Sequence, residues 1–197
     1  MKILIATKNP GKAKEIASFL GEAFEVVSLG DLSGAPDIEE TGKTFEENAI
    51  LKAKKYFEWS GIPSVADDSG LEIDFLNGEP GIKSRRWLGY EMTDQEMIDT
   101  ALDKLKGVAM EKRTAHLVAI GAYYDGKNTI LERGSTDGFI LEKQTVECEP
   151  GYPFRAIFWM PRFQKLYQEL THEEHELINH RKILYAKLAS EIKNIIL

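Results

Sequence analysis

Apolar and polar positions alternate along this chain in two periods, one near two residues and one near 3.6, and together they predict a mixed order of strands and helices. Lys2 to Ala6 reads as a buried strand, and Gly11 to Leu20 as a helix with Ile16, Phe19 and Leu20 on one side. Phe24 to Leu29 predicts a second strand. A helix from about Thr44 to Trp59 carries Phe45, Ala49, Ala53, Tyr56 and Phe57 on one face, and Thr44 and Glu47 have the spacing of a capping box. Ile62 to Ala66 is a short apolar strand. Leu71 to Leu76 alternates as another, with Leu71, Ile73 and Phe75 opposite Glu72 and Asp74. Pro80-Gly81 predicts a turn, and Asp94 to Leu105 an amphipathic helix. Thr114 to Tyr124 and Asn128 to Arg133 predict a hairpin about Asp125-Gly126, followed by a strand from Gly138 to Leu141. Glu173 to Ile196 reads as one long helix whose stripe includes Leu177, Leu184, Tyr185, Leu188, Ile192 and Ile195.

Several polar positions do not fit a purely structural pattern. Asp67-Asp68-Ser69-Gly70 follows the strand at Ile62 to Ala66, so two adjacent carboxylates are expected at a strand end. On an extended chain they point to opposite faces, an arrangement that suits metal and phosphate chemistry. The same four residues also make an ordinary Asp-Ser-Gly turn. Thr7-Lys8-Asn9-Pro10-Gly11-Lys12 joins a strand to a helix start, where free N–H groups and a lysine can bind an anion, although the glycine spacing of a P-loop is absent. Lys52 lies four residues after Asn48 at the edge of an apolar face, where it either snorkels or lines a phosphate pocket. Arg85 and Arg86, between Ser84 and Trp87, suit either forked phosphate contacts or surface ion pairs. Arg181 falls inside the C-terminal apolar stripe and must therefore meet an anion or a carboxylate. His180 sits at the edge of that stripe, where a structural role competes with a catalytic one.

Composition narrows these choices. The 197 residues suit a single domain, or one core with two lobes. With 25 basic against 32 acidic side chains the net charge is −7, which argues against broad nucleic-acid or anionic-membrane binding and leaves small anions as ligands of local basic groups. The lone Cys148 excludes an internal disulfide and a cysteine zinc site. No run of about 18 apolar residues is present, as a membrane span requires. The first residues lack the long apolar region of a signal peptide, so a soluble cytoplasmic protein is expected.

Taken in order, Thr7 to Lys12, Glu39-Glu40-Thr41-Gly42-Lys43-Thr44-Phe45-Glu46-Glu47-Asn48-Ala49 with Lys52-Ala53, Ala66-Asp67-Asp68-Ser69-Gly70-Leu71, Pro80-Gly81-Ile82-Lys83-Ser84-Arg85-Arg86 and Asn179-His180-Arg181 closely resemble the inosine/xanthosine triphosphate pyrophosphatase family of nucleotide-pool cleaning enzymes. The resemblance runs over nearly the whole chain. It implies an α/β fold, mixed, with a long twisted central sheet, helices and two lobes enclosing a cleft, in a homodimer. The implied reaction is Mg²⁺-dependent hydrolysis of inosine, deoxyinosine or xanthosine triphosphate to the monophosphate and pyrophosphate.

Carried over by position, Thr7, Asn9, Lys12 and Lys52 match the family's triphosphate-binding residues, and Glu40 and Asp68 its metal and water-activating carboxylates; on chemical grounds the adjacent Asp67 is expected to assist Asp68 with the attacking water. Ser69 and Gly70 match the accompanying backbone turn. Arg86 matches the arginine after Pro-Gly, and His180 and Arg181 the base- and phosphate-facing pair. One motif departs from the pattern: where relatives carry Gly-Phe-Gly-Tyr-Asp-Pro, this chain has Gly151-Tyr152-Pro153-Phe154-Arg155-Ala156, so an arginine stands where an aspartate is usual. His175 and Asn179 likewise replace a lysine and a serine. Tyr152 retains a ring able to stack on a base. Two alternatives stay open at this point: the same chemistry on other bases, such as modified pyrimidines or ordinary nucleotides, and nucleotide binding without turnover.

Overall fold

The structure is a computed structural model and describes residues 1–196. Its strands are β1 (Lys2–Ile5), β2 (Glu25–Ser28), β3 (Ser64–Ile73), β4 (Thr114–Tyr124), β5 (Thr129–Ile140), β6 (Phe158–Met160) and β7 (Lys165–Leu166). The helices are α1 (Pro10–Leu20), α2 (Phe45–Ser60), α3 (Asp94–Lys104), α4 (His172–Ile178) and α5 (His180–Ile196). All seven strands join one sheet in the order β2-β1-β3-β4-β5-β6-β7. β1 is parallel to both β2 and β3, whereas β6 is antiparallel to β5 and β7, so the sheet is mixed as expected.

Two compact units make up the chain. The first comprises Met1–Ser69, Ala119–Gly134 and the chain from His180 on; the second comprises Gly70–Val118 and Ser135–Asn179. In the first, Ile3, Ile5 and Val65 of the sheet bury against Ile16 and Leu20 of α1 and against Leu184, Tyr185, Leu188 and Ile192 of α5. The second has its own core, in which Leu71 and Ile73 pack with Met97, Ile98 and Ala101 of α3 and with Phe154, Phe158 and Tyr167. Each core is continuous and holds its unit by apolar burial.

Local chemistry explains most element ends. The Asn9 side chain caps α1 by accepting from Lys12 N at 3.1 Å, and Pro10 occupies the first turn, where its missing N–H costs nothing. Thr44 caps α2 by accepting from Glu47 N at 3.2 Å, but the Glu47 carboxylate accepts from Lys43 N, one residue earlier than a reciprocal box requires. Gly61 ends α2 in the left-handed region, at φ 68°. The hairpin turn is built by Asp125, whose carboxylate accepts from the backbone of Lys127 and Asn128.

Four expectations need correction. β3 does not stop at Ala66: it runs for ten residues through Asp67, Asp68, Ser69 and Gly70, because the buried alternation resumes at Leu71 and Ile73. The stretch after Ile73 turns into a short helical segment at Asp74–Leu76, which leaves Phe75 about half exposed rather than in the core. The strands expected at Asn128 to Arg133 and Gly138 to Leu141 are one strand, β5; Gly134 and Gly138 are places where other backbone comes close, not breaks. The long C-terminal helix is two, since Asn179 adopts an extended conformation between α4 and α5. That break resets the helical phase and leaves Leu177 62% exposed, outside the stripe.

Arg113 does not stand out in the sequence pattern. It is buried in the second unit and donates to three backbone carbonyls, those of Ile140 at 2.7 Å, Leu105 at 2.7 Å and Leu141 at 2.5 Å. One guanidinium thereby joins the end of α3 to the end of β5. Arg113→Met should lower the unfolding free energy by about 3 kcal/mol, because two buried carbonyls and a part-buried one lose a charged donor, and urea denaturation measures it. A loss below about 1 kcal/mol would show that the carbonyls find other partners.

Candidate active site

Consecutive residues of a strand face opposite ways, and here both faces carry cations. On one side, the Asp67 carboxylate, 3% exposed, accepts from Arg181 Nε at 3.3 Å and lies 3.6 Å from Lys12 Nζ. On the other, Asp68 accepts from Asn48 Nδ2 at 2.9 Å through Oδ2, while its Oδ1 accepts from Ser69 N at 2.9 Å and lies 3.8 Å from Lys52 Nζ. The uninterrupted course of β3 is what separates the two carboxylates.

Three elements deliver the cations. α1 begins after the Thr7-Asn9 loop, in which Asn9 N donates to Thr7 Oγ1 at 3.3 Å, and its first turn sends Lys12 Nζ to Ser69 Oγ at 3.1 Å. α2 carries Asn48 and Lys52 on successive turns. Lys52 Nζ also reaches Glu40 Oε1 at 2.6 Å, so a single ammonium joins the exposed Glu40 to the buried Asp68. The first turn of α5 brings in Arg181, 4% exposed, whose Nη2 donates to Ser69 Oγ at 2.9 Å and whose Nη1 lies 3.6 Å from Glu15 Oε2. Ser69 Oγ thus receives both Lys12 and Arg181.

The two carboxyls are in opposite electrostatic states. Burial would raise the pKa of Asp67, but Lys12, Arg181 and Lys52 outweigh it and hold this group below the usual carboxylate range. Burial, assisted by the nearby charge of Glu40, pushes Asp68 up in spite of Lys52 and Asn48. Lys12 is lowered by burial against the pull of Asp67. For Lys52 burial works the same way, yet Asp68 and Glu40 prevail and raise it. Asp67 is therefore a fixed anion, whereas Asp68 is a carboxylate with increased affinity for a proton, the property a general base needs.

Thr7, Asn9, Lys12, Glu40, Lys52, Asp67, Asp68, Ser69, His180 and Arg181 all belong to the first unit. His180 is buried at the start of α5. Gly70 follows Ser69 in β3 as the first residue of the second unit, and Arg86 ends a short helical segment of that unit with its side chain exposed. Arg155, also in the second unit, lies over the Tyr152 ring at 3.8 Å from its centroid and pairs with Glu149 at 3.1 Å. His175 Nε2 is 3.0 Å from Tyr167 O.

Sequence reasoning gave Asn48 only a place beside Lys52, and missed Glu15 as a partner of Arg181. Asn48 is a bridge: its Oδ1 accepts from Gly42 N at 2.8 Å while its amide holds Asp68. The signals were present in the spacings, since Asn48 precedes Lys52 by one turn and Glu15 follows Lys12 by three residues, each pair on one helical face. Among the described residues, no group of three or more His, Cys, Asp and Glu forms a metal cage. No described helix is long and apolar enough to cross a membrane.

The Ham1 family model matches residues 3–191. Over 197 residues the chain is 39% identical to a dITP/XTP pyrophosphatase of Photobacterium profundum, with 98% of each chain covered. It is 40% identical over 196 residues to a dITP/XTP pyrophosphatase of Bacillus anthracis, covering 97% of this chain and 96% of that relative. The solved structure of the Staphylococcus aureus Ham1 protein matches with a TM-score of 0.86 at 32% identity, over 98% of this chain and 99% of that one.

The two faces of β3 predict different responses to neutralisation. Asp67→Asn removes the partner of two buried cations and should cost about 3 kcal/mol of stability at neutral pH. Asp68→Asn should change stability by no more than about 1 kcal/mol, because burial already disfavours that charge. The stabilisation from Asp67 is complete above the ordinary carboxylate value near pH 4 and is lost as the pH falls through its lowered folded value. Thermal unfolding of both variants at pH 7 tests the contrast; equal losses would contradict the assignment of fixed anion and proton acceptor.

Proposed function

The chain belongs to the Ham1 family, and from that membership we propose that it is a nucleoside-triphosphate pyrophosphatase that hydrolyses dITP, ITP and XTP to the monophosphate and pyrophosphate. The observation that carries the reading is the pairing of a proton-accepting carboxylate, Asp68, with three cations gathered around β3.

Cleavage between the α- and β-phosphorus needs an activated water, a neutralised leaving group and in-line geometry. Asp68 accepts the water's proton, with Asn48 and Ser69 N fixing the direction of its oxygens. Lys12 and Lys52, together with Thr7 and Asn9, hold the triphosphate; phosphate oxygens take over ammonium hydrogens that the carboxylates and Ser69 now accept. Arg181 keeps Asp67 ionised and adds positive charge behind Ser69. Ser69 Oγ, fixed by Lys12 and Arg181, sets the local geometry of the strand next to the base.

Mg²⁺ is the cofactor in this reading, and the donor set suits it. Glu40 Oε1 and Asp68 Oδ1 lie 2.6 and 3.8 Å from the Lys52 ammonium, so the two carboxylates that would hold the ion are brought to the same neighbourhood. Two carboxylates complemented by phosphate oxygens and water satisfy a small hard cation that rarely takes an all-protein cage. Bound there, the ion would neutralise charge on the phosphate oxygens and polarise the reacting phosphorus.

A second reading, the same chemistry with a shifted base range, is favoured by Arg155. Its guanidinium covers one face of Tyr152, the ring expected to stack on a base, and puts a donor-only group where an aspartate acceptor is usual, so the pattern offered to a base is changed. The protein works, in this reading, in the cytoplasm as a homodimer. The half-exposed Phe75, Leu88 and Tyr90 of the second unit support a subunit interface, and a monomer mass in sedimentation equilibrium would reject it.

Pyrophosphate release with Mg²⁺ across inosine, xanthosine, guanosine, adenosine and pyrimidine triphosphates tests the proposal. Release from dITP and XTP well above dATP is the expected result. Release directed to pyrimidines assigns the Arg155 segment a new specificity, and tight binding without release rejects turnover. Asp68→Asn should lower kcat by about 10²- to 10⁴-fold with unchanged circular dichroism; wild-type turnover in that variant would remove Asp68 from the mechanism.

A further inference from the structure

Two glycines lie on neighbouring strands against α5, and they are not equivalent. Gly121 of β4 faces the end of a flexible side chain: the nearest atoms a Cβ there would meet are those of Leu184, at 3.0 Å from Cδ1 and 3.2 Å from Cδ2. Gly134 of β5 faces backbone. A Cβ at that position would fall 1.8 Å from the carbonyl oxygen of His180, 2.8 Å from its carbonyl carbon and 3.1 Å from Leu184 Cβ. Gly134 is not among the glycines with positive φ, so its backbone conformation is open to any residue. What the position demands is the absence of a side chain.

His180 precedes Arg181, and the first turn of α5 has little freedom at its other end. The Arg181 guanidinium spans Asp67 Oδ2 at 3.3 Å, Ser69 Oγ at 2.9 Å and Glu15 Oε2 at 3.6 Å. Lys12 uses the same first two groups, at 3.6 and 3.1 Å. Hydrogen bonds tolerate only a few tenths of an ångström. Relieving a contact of 1.8 Å requires a backbone shift of about 1.5 Å to reach normal separation, more than these contacts can absorb.

We propose that Gly134 is a positioning residue for the reaction: by letting β5 touch the His180 carbonyl directly, it sets the depth at which Arg181 joins Lys12 on Asp67 and Ser69. The proposal builds on the phosphate-site reading above, and adds a residue far along the chain whose close neighbours are the His180 carbonyl and Leu184. The glycine acts through backbone contact, so even alanine is too large.

Gly134→Ala is the test, with Gly121→Ala as the control on the same helix. The first readout needs no substrate: the Arg181 Nε–H signal in ¹⁵N-resolved NMR should be visible and slow to exchange in the wild type and in Gly121→Ala, and lost or moved in Gly134→Ala. The second is kinetic. For dITP, kcat/KM should fall by about 100-fold in Gly134→Ala, the scale of a 1 Å misplacement, and remain within about threefold in Gly121→Ala. Added to Arg181→Ala, the Gly134→Ala change should cause little further loss, because the two act through one group.

An unchanged Arg181 signal, or losses that multiply in the double variant, would overturn the proposal. Should Gly134→Ala fail to fold, Leu184→Phe lifts the same helix from the side-chain end, and a wild-type Arg181 signal with α5 displaced would equally overturn it. Absence of pyrophosphate release by the wild type would reject the pyrophosphatase reading while leaving the NMR comparison intact.

Discussion

The arrangement of the first unit depends on the burial of two consecutive carboxylates in one strand. A buried charge must be paired, and two adjacent ones on a single face would repel each other strongly. The pleat of β3 resolves this by sending Asp67 toward α1 and α5 and Asp68 toward α2. Each face then has its own cation supply. Lys12 and Arg181 hold Asp67 as an anion, while burial and the charge of Glu40, acting against Lys52, raise the proton affinity of Asp68.

From this constraint follow the roles of residues that carry no charge. Ser69, the next residue along the strand, returns to the Asp67 face and collects Lys12 and Arg181 on one hydroxyl. Asn48 cannot be replaced by a simple apolar filler, since it ties Gly42 of the loop before α2 to Asp68. Gly42 itself is confined: a Cβ there would lie 2.5 Å from Asn48 Oδ1. Polar networks of this kind are costly when incomplete, which is why so many short-range contacts converge on a few oxygens.

The second unit is stabilised by a different device. Its buried Arg113 donates to three backbone carbonyls, so the cation serves to join element ends rather than to set a proton affinity. Arg155 uses a third solution, stacking on Tyr152 and pairing with Glu149. Three buried or half-buried arginines, Arg113, Arg155 and Arg181, thus have three kinds of partner, and residue type alone did not distinguish them.

The sequence by itself determined the succession of elements from β1 to α3, the cap at Thr44, the apolar faces of α1 and α2, and the opposed directions of Asp67 and Asp68, because each rests on spacing within a few residues, whereas the short strands β6 and β7 left no such signal. It also carried the family resemblance, whose motifs are local runs. Where β3 and β5 end, and where the C-terminal helix breaks, was decided only in the tertiary structure. Local turn signals at Asp67-Asp68-Ser69-Gly70 and at Gly134 and Gly138 are outweighed by pairing in the sheet and by close backbone neighbours, and the break at Asn179 divides a periodic stripe between two units. The partners of Arg181 belong to the same class. Asp67 and Ser69 lie 114 and 112 residues away in the chain, and no local rule reports which distant carboxylate will meet a buried guanidinium.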